Sequence, residues 1–170
     1  MLESGAVECF RGGVYGPVAT ALCARTTCPS RMPLDGVSDA VDIDIALEHG
    51  CVLRRNGVAL CWGFGAAGDN SNYVDNNSLT AVATTLSFVQ LSADTAITCA
   101  VTTEGHVACW GDLRSRTVAS PQVVPGLDSV VQVIAYSRSA GPLAFARRAD
   151  GSIVGIHETR DDFRVETVTR

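Results

Sequence analysis

The residues with most chemical potential in this chain are its seven cysteines, at positions 9, 23, 28, 51, 61, 99 and 109. A zinc or iron–sulfur site needs close pairs such as Cys-x2-Cys, converging as four ligands. No pair has that spacing, and the nearest, Cys23 and Cys28, has no histidine close by. Asp42 and Asp44 stand two apart in an apolar, β-branched stretch, so a strand there puts both carboxylates on one side. A metal or a general acid/base pair could use such an arrangement, but carboxylates so placed more often face solvent, and that is the expectation. Residues 69–77 are rich in oxygen ligands, yet lack the glycine and glutamate that a calcium loop needs at its sixth and twelfth positions. A solvated loop is expected. Asn76-Asn77-Ser78 matches a glycosylation acceptor. His49, His106 and His157 fall in no Ser/His/Asp or Cys/His arrangement, and Gly12-Gly13 is not followed by the Lys-Ser/Thr of a phosphate loop. These residues predict no enzyme, no cofactor and no metal.

Composition narrows the class further. The 170 residues are 46% apolar and 18% charged, the balance of a folded protein. A net charge of −5 without a Lys/Arg cluster argues against nucleic acid. Apolar runs such as 143–146 are far too short to span a bilayer. The first residues show neither a basic n-region nor an apolar h-region, so no signal peptide is expected in this chain.

The elements that position the cysteines come from a repeat. Residues 51–63 and 99–111 share Cys, Gly, Cys, Trp and Gly in one register. The first ten residues fit the second half of the same unit, and a degenerate copy runs from Phe145 through Gly151 to Gly155. The anchoring glycines, Gly5, Gly57, Gly105 and Gly151, recur at about 50 residues, a spacing suited to one propeller blade. Each unit reads as a hairpin whose three-residue loop ends on a glycine in the left-handed region. Counting outward from Gly57 sets Leu53 opposite Ala59, Val52 opposite Leu60 and Cys51 opposite Cys61. The same count sets Cys99 opposite Cys109 and Phe145 opposite Gly155, and puts the partner of Cys9 before Met1. Directly opposed cysteines can form a cross-strand disulfide in an oxidising compartment; in a reducing one they are small buried residues. Cys23 and Cys28 could close a small loop of their own, and Cys9 is left over. Residues 41–45, 88–91 and 130–134 are short apolar strands preceding each hairpin. Leu53, Ala59 and the cysteines share one hairpin face; Val52, Leu60 and Trp62 share the other. Two apolar faces suit a blade packed between neighbours. Trp62 and Trp110 recur at one repeat position, which points to packing. The expected fold is all-β, a partial β-propeller of about three to four antiparallel blades.

The motif Cys-x5-Gly-x3-Cys-Trp-Gly, with Val-Gln-Leu or Val-Gln-Val upstream, resembles the repeat of the regulator-of-chromosome-condensation propeller family. The paired cysteines resemble its bacterial and extracellular members. After Trp-Gly the family continues with an asparagine and a Gly-Gln-Leu-Gly run, whereas residues 63–69 keep only some glycines and 111–114 keep only Gly111 itself. The family's complete propeller has seven blades, so the chain is expected to be a truncated piece, a half completed by a second chain or by missing sequence, or a degenerate gene product. Residues 1–36 read as a truncated blade plus an irregular connection, 37–86 and 87–127 as blades, and 128–170 as a degenerate blade. The resemblance implies a non-catalytic scaffold that binds another protein through blade loops, here residues 64–79, 113–125 and 157–163. The alternative it implies is a guanine-nucleotide exchange factor for a small GTPase. The cysteine-rich version implies an extracellular or cell-surface setting if the chain is part of a longer secreted protein.

Overall fold

The computed structural model describes residues 4–10, 31–47, 49–64, 68, 75–137 and 140–168. Among them there are fourteen strands and no helix. A short pair, β1 (Glu8–Phe10) and β2 (Arg31–Pro33), comes first. Three four-stranded antiparallel sheets follow, each a simple up-and-down meander. The first holds β3 (Ala40–Ile45), β4 (His49–Arg54), β5 (Ala59–Phe64) and β6 (Asp75–Ala81). The second holds β7 (Phe88–Asp94), β8 (Ile97–Thr102), β9 (Val107–Asp112) and β10 (Thr117–Val123). The third holds β11 (Val130–Ala135), β12 (Ala144–Arg148), β13 (Ile153–Glu158) and β14 (Phe163–Thr167). The architecture is the expected partial propeller, and the degenerate repeat still builds a full blade.

The hairpin register is the one counted from the glycines. Cys51 pairs with Cys61 and Val52 with Leu60. Cys99 pairs with Cys109, and Phe145 with Gly155. Gly57, Gly105 and Gly151 have φ of 82°, 80° and 87°, a conformation that costs any other L-residue energy. The turn glycine also joins neighbouring units. The carbonyls of Gly5, Gly57 and Gly105 accept hydrogen bonds from the N–H of Ala40, Phe88 and Val130, at 2.9, 2.9 and 2.8 Å. Each donor is the first residue of the next sheet.

Both faces of the middle blades are buried, as the two-sided apolar pattern requires. Cys51, Leu53, Ala59 and Cys61 belong to a core shared with β7–β10, while Val52 and Trp62 pack with Val7, Leu34, Val37 and Ala40. Trp110 is fully buried too, its ring stacked on Phe88 at 5.7 Å between centroids. Gly68 lies against the Trp110 ring, where a Cβ would come within 2.7 Å of Nε1. The sulfurs of each facing pair are at bonding distance, with Cα atoms 4.1 Å apart. That Cα separation belongs to the closely spaced, non-hydrogen-bonded class of antiparallel pair. Cys23 and Cys28 lie outside the described residues, as does the side chain of Cys9.

Gly57→Ala and Gly151→Ala should differ in cost. Both incur a left-handed backbone penalty of about 1–2 kcal/mol. Only a Cβ at Gly57 also meets another unit, 2.9 Å from Ser87 Cβ; at Gly151 nothing lies within 4 Å. Urea unfolding midpoints are expected to fall further for Gly57→Ala than for Gly151→Ala.

Candidate binding face

Side chains of one inner strand take the place of a strand partner for the next. Asp42 Oδ2 accepts the N–H of Leu91, and Asp44 Oδ2 that of Ala93, both at 2.8 Å. One blade on, Gln90 Oε1 accepts the N–H of Val133 at 2.8 Å while its Nε2 donates to the Val133 carbonyl at 3.1 Å. Ser92 Oγ accepts from Ala135 and Asp94 Oδ2 from Ser137, at 3.0 and 2.7 Å. The alternating geometry of a strand puts residues two apart on one side, so a polar residue at every second position makes a ladder. A bulge at Val41, Val89 and Val131 recurs in β3, β7 and β11 just before the first rung. The expectation that Asp42 and Asp44 face solvent is therefore corrected. They are half-buried, and each carboxylate spans two strands, because Oδ1 also accepts the N–H of Ile43 or Ile45 at 2.9 Å. A lone sequence shows the Asp-x-Asp alternation but not the free backbone edge opposite it.

The ladder continues onto β11 with nothing opposite it among the described residues. The position of Asp42 and Gln90 is taken by Gln132, whose Oε1 accepts instead from Arg147 Nε at 3.3 Å. The next position holds Ile134, 54% exposed. Pairing puts Phe145 beside Ile134, and Tyr136 sits 6.1 Å from the Phe145 ring. Ile153, 46% exposed, lies on the same face. Gly155 takes the place of the second cysteine, with Pro142 folded over it. A cavity of about 310 Å³ opens beside it, lined by Pro142, Gly155, His157, Glu166, Thr167 and Val168. Where the inner blades turn a cysteine pair toward the following blade, this blade turns out an aromatic, two isoleucines and a groove.

The loops expected to carry binding are in part otherwise engaged. Arg114 donates to the carbonyls of Gly141 and Pro142 at 2.7 and 3.2 Å, and Ser115 binds the Glu158 carboxylate through both N–H and Oγ. The β9–β10 loop is thus a strap to the last blade. Most of residues 64–74 lies outside the described residues. No group of three or more metal-ligating side chains occurs among the described residues. Nor is any helix there long and apolar enough to cross a membrane.

His49 is fully buried between blades. Its Nδ1 lies 3.3 Å from the carbonyl of Thr95, an acceptor only, so Nδ1 carries the hydrogen. Nε2 then accepts from the Thr98 hydroxyl at 2.6 Å. Burial pushes the imidazole down to about 4, against smaller upward effects of the Thr95 carbonyl and Asp44.

No protein-family model matches the sequence, and no curated protein matches it. Solved structures do. Human WBSCR16 superposes with a TM-score of 0.68 at 15% identity, over 89% of this chain and 45% of that one. Yeast RCC1 (Prp20), in its complex with Kap60, gives 0.69 at 16% identity, over 99% and 46%. Prp20p from Saccharomyces cerevisiae, studied for its binding to Gsp1p and histones, gives 0.56 at 20% identity, over 70% and 31%. The fold is that of the regulator-of-chromosome-condensation propeller. The chain spans less than half the length of these propeller structures.

Two outcomes follow from this geometry. Gln90→Leu strands the Val133 N–H and carbonyl at an interblade surface, so it should destabilise by about 1–3 kcal/mol. Gln132→Leu, at the same repeat position on the open face, should stay within about 0.5 kcal/mol in the same urea titration. Stability should also fall with acid through His49. The folded value lies below the unfolded 6.5, so the unfolded chain binds more protons. The neutral imidazole costs nothing above pH 6.5, and stability is lost as pH falls toward 4, by up to about 3 kcal/mol. His49→Leu, which copies Leu143 of the last blade, should flatten the stability–pH slope in that window.

Proposed function

We propose that this chain is a non-catalytic protein-binding scaffold, and that its main binding surface is the outer face of the β11–β14 blade. The observation that carries this reading is the repeat register. Two of the positions that join blades internally, Gln132 and Ile134, recur on β11 with no following blade opposite them among the described residues, and Ile134 and Ile153 are exposed beside Phe145. Exposed apolar patches of this kind mark interaction sites. The occupant that fits is the inner strand and hairpin of another blade, carried by a second chain or by further sequence of the same protein. Such a strand presents free backbone N–H groups at two-residue spacing, the chemistry Gln132 is placed to meet. Strand addition of this type draws affinity from main-chain hydrogen bonds and specificity from alternate side chains. The facing cysteine pairs are proposed to be oxidised, which supports an extracellular or cell-surface setting. The solved propellers of the same fold include proteins that bind Gsp1p, histones or Kap60, which supports a role in protein binding here.

Ile134→Asp and Ile153→Asp test this reading. Neither side chain is part of the described core, so both variants should unfold within about 0.5 kcal/mol of wild type. In sedimentation equilibrium the wild-type chain should self-associate through the exposed face as its concentration rises, and the aspartate variants should remain monomeric. A wild-type chain that stays monomeric throughout, or variants that lose more than about 2 kcal/mol, would remove the face as a free binding surface. Acceleration of labelled-GDP release from a small GTPase would replace the scaffold with the exchange factor.

A further inference from the structure

We infer that the two facing cysteine pairs are not equivalent, and that the Cys51–Cys61 bridge, which spans the β4–β5 hairpin of one blade, is reduced more readily than the Cys99–Cys109 bridge. The two pairs are matched in loop length, Cα separation and burial. Both close a sequence separation of 10 residues, both have Cα atoms 4.1 Å apart, and all four cysteines are fully buried. The loop-entropy contribution of the two bridges is therefore the same. Both lie on the face turned toward the following blade.

They differ in what the following blade offers them. Thr98 Oγ1, on β8, is 3.7 Å from Cys51 Sγ and 2.6 Å from His49 Nε2. With His49 Nδ1–H held by the Thr95 carbonyl, the Thr98 hydrogen is committed to Nε2. The Thr98 oxygen then faces Cys51 with a lone pair and, among the described residues, no donor, because a disulfide sulfur has no hydrogen. Reduction supplies one. Asp44 is the charged group acting on His49 within this site. At the second bridge the equivalent of Thr98 is Ala144, fully buried, and the equivalent of His49 is Ile97. No hydroxyl stands at that place to accept from a Cys99 thiol.

The chemistry balances with a small dithiol as reductant. Its two sulfurs join in a disulfide and give up two electrons and two protons. The Cys51–Cys61 bond breaks, and each sulfur takes one proton to become a thiol. The Cys51 S–H then donates to Thr98 Oγ1, a bond that the oxidised state lacks and that the Cys99–Cys109 pair cannot form there. One such hydrogen bond corresponds to about a five-fold shift in the equilibrium for reduction. This inference does not depend on which partner the outer face binds.

The test uses the full chain, equilibrated in mixtures of reduced and oxidised dithiothreitol, acid-quenched, alkylated and read by peptide mass spectrometry. Cys51 and Cys61 should be half-reduced at a dithiol-to-disulfide ratio about five-fold lower than Cys99 and Cys109. Thr98→Ala should bring the two midpoints together, and Thr98→Ser, which keeps the hydroxyl, should restore the gap. Near-ultraviolet circular dichroism at each ratio reports whether the blades stay packed. Equal midpoints in wild type, a gap that survives Thr98→Ala, or reduction of either pair only with loss of the native spectrum would each overturn the inference.

Discussion

The inner edge of each blade carries backbone N–H groups with no strand beside them, and the fold depends on how these are satisfied. A sheet closed at that edge by another strand would stop being a blade. Here the preceding blade reaches across with side chains instead. Asp42, Asp44, Gln90, Ser92 and Asp94 accept from backbone N–H groups 43 to 49 residues further along the chain. The hydrogen bonds keep the strands apart while tying them in register. They also fix which faces meet, so that the sulfur-bearing face of one blade lies against the next.

That arrangement needs sheets buried on both sides. Trp62 and Trp110 fill one face of their blades, the cysteines fill the other, and the turn glycines reach over to hold the first residue of the next strand. Gly57 serves two ends at once, since its positive φ shapes the loop and its bare Cα leaves room for Ser87. The last blade departs from the pattern on one side only. Its inward face keeps Val133, Ala144, Ala146, Val154 and Ile156 buried. Its outward face has traded the cysteine pair for Phe145 and Gly155, and presents Ile134 and Ile153 to solvent. Loss of the motif there leaves the four-stranded sheet intact.

Much of this was legible before the coordinates. Equal counts on either side of Gly57 and Gly105 place Cys51 against Cys61 and Cys99 against Cys109, since a hairpin register is set by its loop. The strands at 41–45, 88–91 and 130–134 were legible from their β-branched residues. Asp42 and Asp44 were visible as a pair, but their role was not. Solvent is the usual surrounding of such carboxylates, and only the approach of β7 turns them into acceptors. Thr98 carried no signal at all, because its meaning depends on two residues nearly fifty positions away.

The division between sequence and tertiary structure follows the range of the forces. Repeat length, hairpin register, two-sided burial and the all-β class are local or periodic properties, written in the spacing of glycine, cysteine and tryptophan along one strand pair. Which blade face meets which neighbour, which polar side chain finds a free N–H, and which face is left uncovered are relations between strands from different repeats. No spacing encodes them, because they arise only when separate sheets are stacked. The stacking decided that two identical cysteine pairs sit in different chemical surroundings, and that Ile134 and Ile153 stand exposed on the last described blade.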